Sequence, residues 1–186
     1  MSRGREADEE HYVDGSYFTF PPGWEVHKVD EWPEQRDLTS KPFEAKACDL
    51  VACHGSEVWF VEVKDYTYET VSPPRDLAAS VGLKIFHTLG MMESVALWGA
   101  EPERRDFCRR ALAARSASAC LAIELRHGGK KLFGIETQLM TWYDSLRKVT
   151  KKLNIHHPVI SNSHQMGGVP WRIRRDPERR HLHSDR

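Results

Sequence analysis

The sequence of 186 residues has no long hydrophobic run, because no segment reaches the roughly 18 consecutive apolar residues that suggest a membrane-spanning helix. The N-terminus also lacks the apolar stretch of a secretory signal. The four cysteines show no C-x-x-C spacing, which argues against a zinc site and indicates reduced, buried thiols rather than disulfides. Together these absences predict a cytoplasmic protein without a membrane partner.

Glycine-rich phosphate loops of the Walker type are absent, and so is the G-x-G-x-x-G pattern of dinucleotide-binding enzymes. ATPases and dinucleotide-dependent enzymes are therefore unsupported. Internal repeats are absent too, and the length predicts one domain. We expect an acidic, loosely ordered segment over residues 1–16, a single domain over residues 17–176, and a basic, disordered tail over residues 177–186.

Three charged residues interrupt two otherwise apolar runs within residues 45–66. Asp49 lies in the first run, Glu62 and Lys64 lie in the second, and a turn-like segment over residues 54–57 joins the two. Both runs have the composition of strands, and the short connection predicts an antiparallel hairpin. Because side chains alternate along a strand, Glu62 and Lys64 should share one face, with Asp49 across from Glu62.

Two carboxylates that point at one place form a hard-oxygen site suited to Mg²⁺ or Mn²⁺, which such sites hold together with water and substrate phosphate. Burying a carboxylate in a strand costs several kcal/mol unless it is paired or bound to a metal. A lysine beside the metal can position or deprotonate the attacking water, or stabilise negative charge on the phosphorus oxygens. The pattern D-x12-E-x-K therefore predicts metal-dependent hydrolysis of phosphodiester bonds.

These residues resemble the PD-(D/E)XK nuclease superfamily, which has the restriction-endonuclease-like fold. CDLVA carries the Asp of its first half-motif and VEVKDY carries its E-x-K, and the resemblance covers roughly residues 40–125. It implies an α/β fold with an α-β-β-β-α-β core, whose central mixed sheet is flanked by helices. It also implies that Asp49, Glu62 and the backbone carbonyl of Val63 bind the metal, and that Asp49, Glu62 and Lys64 are catalytic.

Two further features bear on this resemblance. Cys48 precedes the aspartate where the family has a proline, a position at which the superfamily varies freely. Asp30 or Glu31 would supply the extra acidic residue that some members carry on the first helix. The segment that contains these two, from Trp24 to Trp32, fits neither helical nor strand periodicity cleanly.

Hydrophobic periodicity predicts the remaining elements. Helices are expected from Asp76 to about Leu97 and from Glu103 to about Arg115, followed by a strand over Ala119–Leu125. A long amphipathic helix follows from Ile135 to Leu153, and Trp171–Arg175 is strand-like. These last two segments add a C-terminal helix and strand to the core.

Formal net charge is zero, but the charges are unevenly distributed. Residues 1–48 hold six basic and eleven acidic residues, whereas residues 126–186 hold thirteen basic and five acidic ones. A basic half beside a carboxylate site suits a ligand with a phosphate backbone. The predicted nucleic-acid contacts are Lys84, Arg147, Lys148, Lys151, Lys152, Arg172, Arg174 and Arg175.

The sequence predicts a Mg²⁺- or Mn²⁺-dependent endo- or exonuclease, with DNA favoured as its substrate. One alternative is a catalytically silent module of the same fold that binds nucleic acid or docks to a protein, and another is a nuclease that cleaves RNA. A homodimer or a larger protein complex is compatible with each of these. The alternative without a functional site is that the three charges form only a cross-strand ion pair at a sheet edge.

Overall fold

The structure is a computed structural model that describes residues 8–67, 73–125, 132–164 and 167–178, with only the backbone described over 132–136. It is an α/β protein with two sheets and four α-helices within these ranges. The strands are β1 (Glu9–Val13), β2 (Ser16–Phe20), β3 (Glu25–His27), β4 (Leu50–His54), β5 (Glu57–Asp65), β6 (Ser116–Glu124), β7 (Val159–Ser161) and β8 (Arg172–Arg175). The helices are α1 (Pro33–Thr39), α2 (Leu77–Trp98), α3 (Pro102–Leu112) and α4 (Leu132–Thr150).

The larger sheet is mixed and has the strand order β3-β4-β5-β6-β7. Strand β4 pairs antiparallel with both β3 and β5, whereas β5, β6 and β7 are parallel. The predicted hairpin of β4 and β5 is confirmed: His54 pairs with Glu57, and Gly55 adopts a φ of +57° in the intervening turn. The parallel strands are connected through helices, as parallel pairing requires.

The helices cover one face of this sheet. Alternate strand residues such as Val51, Phe60 and Leu121 pack there against buried apolar side chains of α2, α3 and α4. Helix α2 presents Leu77, Val81, Ile85 and Met92 to this core, as its apolar spacing predicts. Glu62 has the same phase along β5 as Phe60, so the predicted site faces the helical layer.

The opposite face is covered by a second sheet rather than by helices, which corrects the prediction of a sheet flanked by helices. This sheet is antiparallel, with the order β1-β2-β8. It contributes Phe18, Phe20, Trp171 and Ile173 to a second core against residues such as Val61 of the larger sheet. The apolar side chains of β2 and β8 alternate with polar ones, so these two strands present one apolar face to the larger sheet.

The N-terminal segment is more ordered than expected over residues 8–16. Strand β1 pairs with β2 from Glu9 to Val13, around a two-residue turn formed by Asp14 and Gly15 with φ values of +42° and +82°. Positive φ at both central residues is typical of a type I′ hairpin turn, for which Asp-Gly is a preferred sequence. The rest of the segment predicted to be loosely ordered, residues 1–7, lies outside the described residues. So do residues 179–186 of the tail predicted to be disordered.

Other elements match the sequence only in part. Trp24–Trp32 splits into β3 and a 3-10 turn over Val29–Glu31, and α1 follows β3 instead of preceding the first three strands of the larger sheet. Strand β7 was missed, since three residues are too few for a periodicity. All four cysteines are buried and free, as predicted. Among the described residues, no helix is both long enough and apolar enough to cross a membrane.

Helix α2 packs tightly against α4 at Gly82. A Cβ atom added at Gly82 would lie 2.0 Å from Cγ1 of Val149, whereas one added at Gly90 of the same helix would meet nothing within 4 Å. We therefore expect Gly82→Ala to lower the free energy of unfolding by about 1–3 kcal/mol through overpacking. Gly90→Ala should raise it by up to about 1 kcal/mol, because alanine favours the helix.

Urea denaturation of the two single variants tests this expectation. Adding Val149→Ala to Gly82→Ala should recover part of the lost stability, because the smaller side chain makes room for the new methyl group. A Gly82→Ala protein as stable as the parent would contradict the close packing of the two helices.

Candidate metal and nucleic-acid site

The candidate site forms where the ladder between β4 and β5 opens. The register between β4 and β5 starts at Leu50, which lies opposite Val61. The backbone N–H of Asp49, just before it, still donates to the Val61 carbonyl at 3.1 Å. Beyond this point the side chain of Asp49 takes over: its Oδ2 accepts a hydrogen bond from the backbone N–H of Val63 at 2.6 Å. The aspartate is therefore fixed beside Glu62, as the sequence predicts.

Glu62 is a charged side chain in the core, with only 1% of its side chain exposed. Its Oε1 lies 2.6 Å from the ammonium nitrogen of Lys64 and 2.6 Å from that of Lys84. Its Oε2 is buried and has no hydrogen-bond partner among the described residues. A buried carboxylate oxygen without a partner costs free energy, so Oε2 of Glu62 is a candidate metal ligand.

The local charges shift the ionisation of both members of the E-x-K motif. Burial and the negative charge of Asp49 raise the pKa of Glu62, while Lys84 and Lys64 act in the opposite direction. Burial disfavours the charged form of Lys64, but Glu62 and Asp49 outweigh it and raise the pKa of Lys64 above its ordinary value. In the metal-free protein Lys64 is therefore held as an ammonium ion beside the two carboxylates.

A third carboxylate lies at the border of the site. Partial burial and the charge of Asp49 raise the pKa of Asp30, in the 3-10 turn before α1, to about 6. Glu31 instead forms an exposed ion pair with Lys28 at 3.3 Å. Of the two acidic residues that the sequence offered for this position, the structure brings Asp30 within electrostatic range of Asp49.

The residues present fit a divalent cation. Asp49, Glu62 and the carbonyl of Val63 are hard oxygen donors at one locus, which suits Mg²⁺ or Mn²⁺ with water in the remaining positions. The Val63 carbonyl accepts a hydrogen bond from the Lys64 ammonium at 3.0 Å. Across the described ranges, no three His, Cys, Asp or Glu side chains are grouped closely enough to hold a metal by themselves. A cation here would accordingly keep several waters or substrate oxygens.

Lys84 occupies a different place from the one predicted for it. The sequence assigns it to a nucleic-acid contact, but its side chain is only 17% exposed and its ammonium lies 2.6 Å from Glu62 Oε1 and 4.0 Å from Asp49 Oδ1. Helix α2 thus delivers a second lysine to the carboxylates. The spacing along the chain contains no signal for this contact, because it depends on how α2 packs on the sheet.

Sequence reasoning also missed Asp14. The turn between β1 and β2 carries it to the end of β5, where its Oδ2 accepts a hydrogen bond from the backbone N–H of Asp65 at 3.2 Å. Its charge is one of those that raise the pKa of Lys64. The Asp-Gly pair between two alternating runs is the sequence signal that would have revealed this hairpin.

The basic residues of β8 have separate roles. Arg175 forms an ion pair at 3.3 Å with Asp65, whose side chain is 1% exposed, and it also contacts Thr67. Arg174 lies over the Tyr17 ring at 4.1 Å and pairs with Glu10 at 3.1 Å. Arg172 is exposed. Of the three predicted phosphate contacts in this strand, Arg175 is thus engaged in holding β8 to the end of β5.

The other predicted cluster lies at the end of α4. Arg147, Lys148 and Lys151 line a cavity of about 280 Å³ together with His156, and Lys152 is exposed on the same turn. Positive side chains at this helix end also complement the helix dipole. Helix α4 packs against α2 in the layer that carries Lys84, whereas β8 belongs to the sheet on the opposite face. The α4 cluster therefore lies on the same side of the larger sheet as the carboxylates.

Comparisons with known proteins give one distant likeness. No protein-family model and no solved structure matches the chain. A cysteine--tRNA ligase from Neisseria meningitidis serogroup A / serotype 4A (strain DSM 15465 / Z2491) is 25% identical over an alignment of 197 positions, which covers 84% of this chain and 28% of the ligase. The chain therefore spans less than a third of the length of this relative.

The placement of Arg175 leads to a prediction that separates it from its neighbours. Arg175→Ala should lower the free energy of unfolding by about 3–5 kcal/mol, because it removes the counter-ion of the buried Asp65 carboxylate. Arg172→Ala, the matched control on the exposed face of the same strand, should stay within about 0.5 kcal/mol of the parent. Thermal and urea denaturation measure both; equal stabilities of the two variants would refute the structural role of Arg175.

Proposed function

We propose that this protein is a metal-dependent nuclease of the restriction-endonuclease-like fold. The observation that carries the proposal is the convergence of Asp49, Glu62 and Lys64 at the opening of the β4–β5 ladder, where one oxygen of the buried Glu62 has no hydrogen-bond partner in the part of the chain that the structure describes. A simple ion pair at a sheet edge would not need this arrangement, because the second carboxylate oxygen would then be solvated or hydrogen-bonded.

Mg²⁺ or Mn²⁺ would be held by Asp49, Glu62 and the Val63 carbonyl. The cation would supply positive charge next to the scissile phosphate and lower the pKa of a neighbouring water. Asp49 is oriented for this by the Val63 N–H, which occupies its Oδ2 and leaves Oδ1 towards the site. The main chain of β5 thus positions both a carboxylate and a carbonyl oxygen.

Lys64 is the residue that would act on the transition state. In the metal-free protein Glu62 and Asp49 raise the pKa of Lys64, and its side chain is 31% exposed, so it can reach a bound phosphate. In that position it stabilises the negative charge that builds up on the phosphorus oxygens. It can also position or deprotonate the attacking water.

DNA is the favoured substrate, and RNA is the second candidate. The distant likeness to a cysteine--tRNA ligase, a protein named for a reaction on transfer RNA, is the specific reason to test tRNA beside DNA. Both polymers have the phosphate backbone that the site and the basic turn of α4 would bind. The third candidate, a silent binding module, predicts binding without cleavage.

The test of activity uses the purified protein with plasmid DNA, single-stranded DNA and tRNA in MgCl₂ or MnCl₂. We expect cleavage that stops in excess EDTA. Lys64→Ala should reduce the rate by at least about 100-fold, the scale of removing one transition-state hydrogen-bond donor, while nucleic-acid affinity changes little. Cleavage that persists in EDTA, or full activity of Lys64→Ala, would overturn the proposal. Tight binding with no cleavage under any condition would favour the silent module.

A second experiment locates the surface that holds the backbone. In the Lys64→Ala background, the additional pair Lys148→Ala and Lys151→Ala should reduce the slope of log affinity against log salt by about two units, on unrelated sequences alike. The pair Arg172→Ala and Arg174→Ala serves as the control and should leave the slope unchanged. If the β8 pair flattens the salt dependence and the α4 pair does not, the backbone runs over the smaller sheet.

A further inference from the structure

Two lysines converge on one oxygen of Glu62, but their surroundings differ. Lys64 follows Glu62 on the same strand, and its side chain is 31% exposed. Lys84 comes from α2 on the other side of the site, and its side chain is 17% exposed. Lys84 also lies 4.0 Å from Asp49 Oδ1, so its ammonium contacts one carboxylate and faces the second.

The helical turn that carries Lys84 is fastened to the segment that leads into Asp49. The buried hydroxyl of Thr88 donates to the carbonyl of Lys84 at 2.8 Å and accepts the backbone N–H of Cys48 at 2.9 Å. One residue earlier, Nδ1 of His87 accepts the backbone N–H of Lys46 at 3.1 Å. These bonds fix the backbone of Lys84 relative to Asp49, so its position does not depend on a free surface side chain.

A divalent cation and the ammonium of Lys84 compete for the same two carboxylates. Asp49 and Glu62 repel each other, and a positive charge between them relieves that repulsion. Lys84 supplies such a charge from within the chain. A metal ion at the same carboxylates would be repelled by the ammonium at close range, where burial limits screening by water.

We propose that Lys84 is the resident cation of the Asp49–Glu62 site. In the metal-free protein it holds the two carboxylates together, and it competes with a divalent cation for them. Lys84 is thereby a positioning residue whose ammonium, at Glu62 Oε1, opposes the entry of a second positive charge beside the same carboxylates. The competition rests on the proposed metal-dependent function, whereas the pairing with the carboxylates does not.

The proposal has opposite consequences for stability and for metal affinity. Removing the charge should destabilise the metal-free protein, because Glu62 and Asp49 lose a counter-ion, and should tighten the binding of Mg²⁺ and Mn²⁺, because a repulsive charge is gone. We expect the dissociation constant of Lys84→Met for Mn²⁺ to fall by at least about tenfold. A lysine that only packed against the sheet would lower stability without tightening metal binding.

Calorimetric titrations with MnCl₂ and MgCl₂ test the competition in the parent, in Lys84→Met, in Lys84→Gln and in Lys41→Met. Lys84→Gln keeps a polar but uncharged side chain, and it replaces the methionine variant if that variant does not fold. Lys41, an exposed lysine, is the control and should leave the dissociation constant unchanged. An unchanged or weaker metal affinity in the Lys84 variants, in a parent that binds metal, overturns the competition.

Thermal unfolding in EDTA tests the pairing independently. Lys84→Gln should lower the melting temperature in the parent background and have a much smaller effect in a Glu62→Gln background, because the negative charge is then absent. Equal losses in both backgrounds overturn the pairing. A parent that binds neither Mg²⁺ nor Mn²⁺ would contradict the proposed nuclease function, while this double-mutant cycle would still decide whether Lys84 neutralises Glu62.

Discussion

The buried charge of Glu62 is the constraint on which the site depends. An ionised carboxylate with 1% of its side chain exposed needs compensation, and the fold brings it from two directions, Lys64 along the strand and Lys84 from α2. Asp49 adds a second negative charge beside Glu62, and the Val63 N–H holds it there through Oδ2. Two acids and two ammonium ions therefore share one small volume, and within the described ranges the second oxygen of Glu62 has no hydrogen-bond partner.

This arrangement does not serve stability well. Two carboxylates held together, one of them buried, would be replaced with a gain in stability by apolar residues of similar size. Arrangements of this kind, in which burial and like charges shift the pKa of neighbouring groups, are concentrated at functional sites. The opening of the ladder before Leu50 serves the same end, because β5 gives up a regular strand partner so that the side chain of Asp49 can lie beside Glu62.

The second sheet supports the site from the other side. Its apolar residues close the face that the helices leave open, and its ends reach the end of β5, where Asp14 accepts the N–H of Asp65 and Arg175 pairs with the Asp65 carboxylate. Asp65 follows Lys64 directly, so the backbone just beyond the E-x-K motif is held by residues from both ends of the described chain. This ion pair is buried and local, which explains why Arg175 differs from the exposed Arg172 in the same strand.

The amino-acid sequence alone determined the local architecture of the site. The alternation of apolar and charged residues and the turn at Gly55 were enough to place Asp49 across from Glu62 and to set Lys64 on the same face, because strand periodicity and a two-residue turn are local properties. The apolar stripes of α2 and α4 were predictable for the same reason. The Asp14–Gly15 turn was also legible, because Asp-Gly is a preferred sequence of hairpin turns.

Only the tertiary structure decided which distant residues meet. Lys84 lies 22 positions from Glu62, and Arg175 lies 110 positions from Asp65, so no periodicity links the members of either pair. In a sequence, any lysine or arginine is a candidate phosphate contact. Only the structure shows whether it is buried against a carboxylate, which distinguishes a structural cation from a free one. The cover of the second face by β1, β2 and β8 was hidden for the same physical reason: strands far apart in the chain pair through packing, which local patterns do not record.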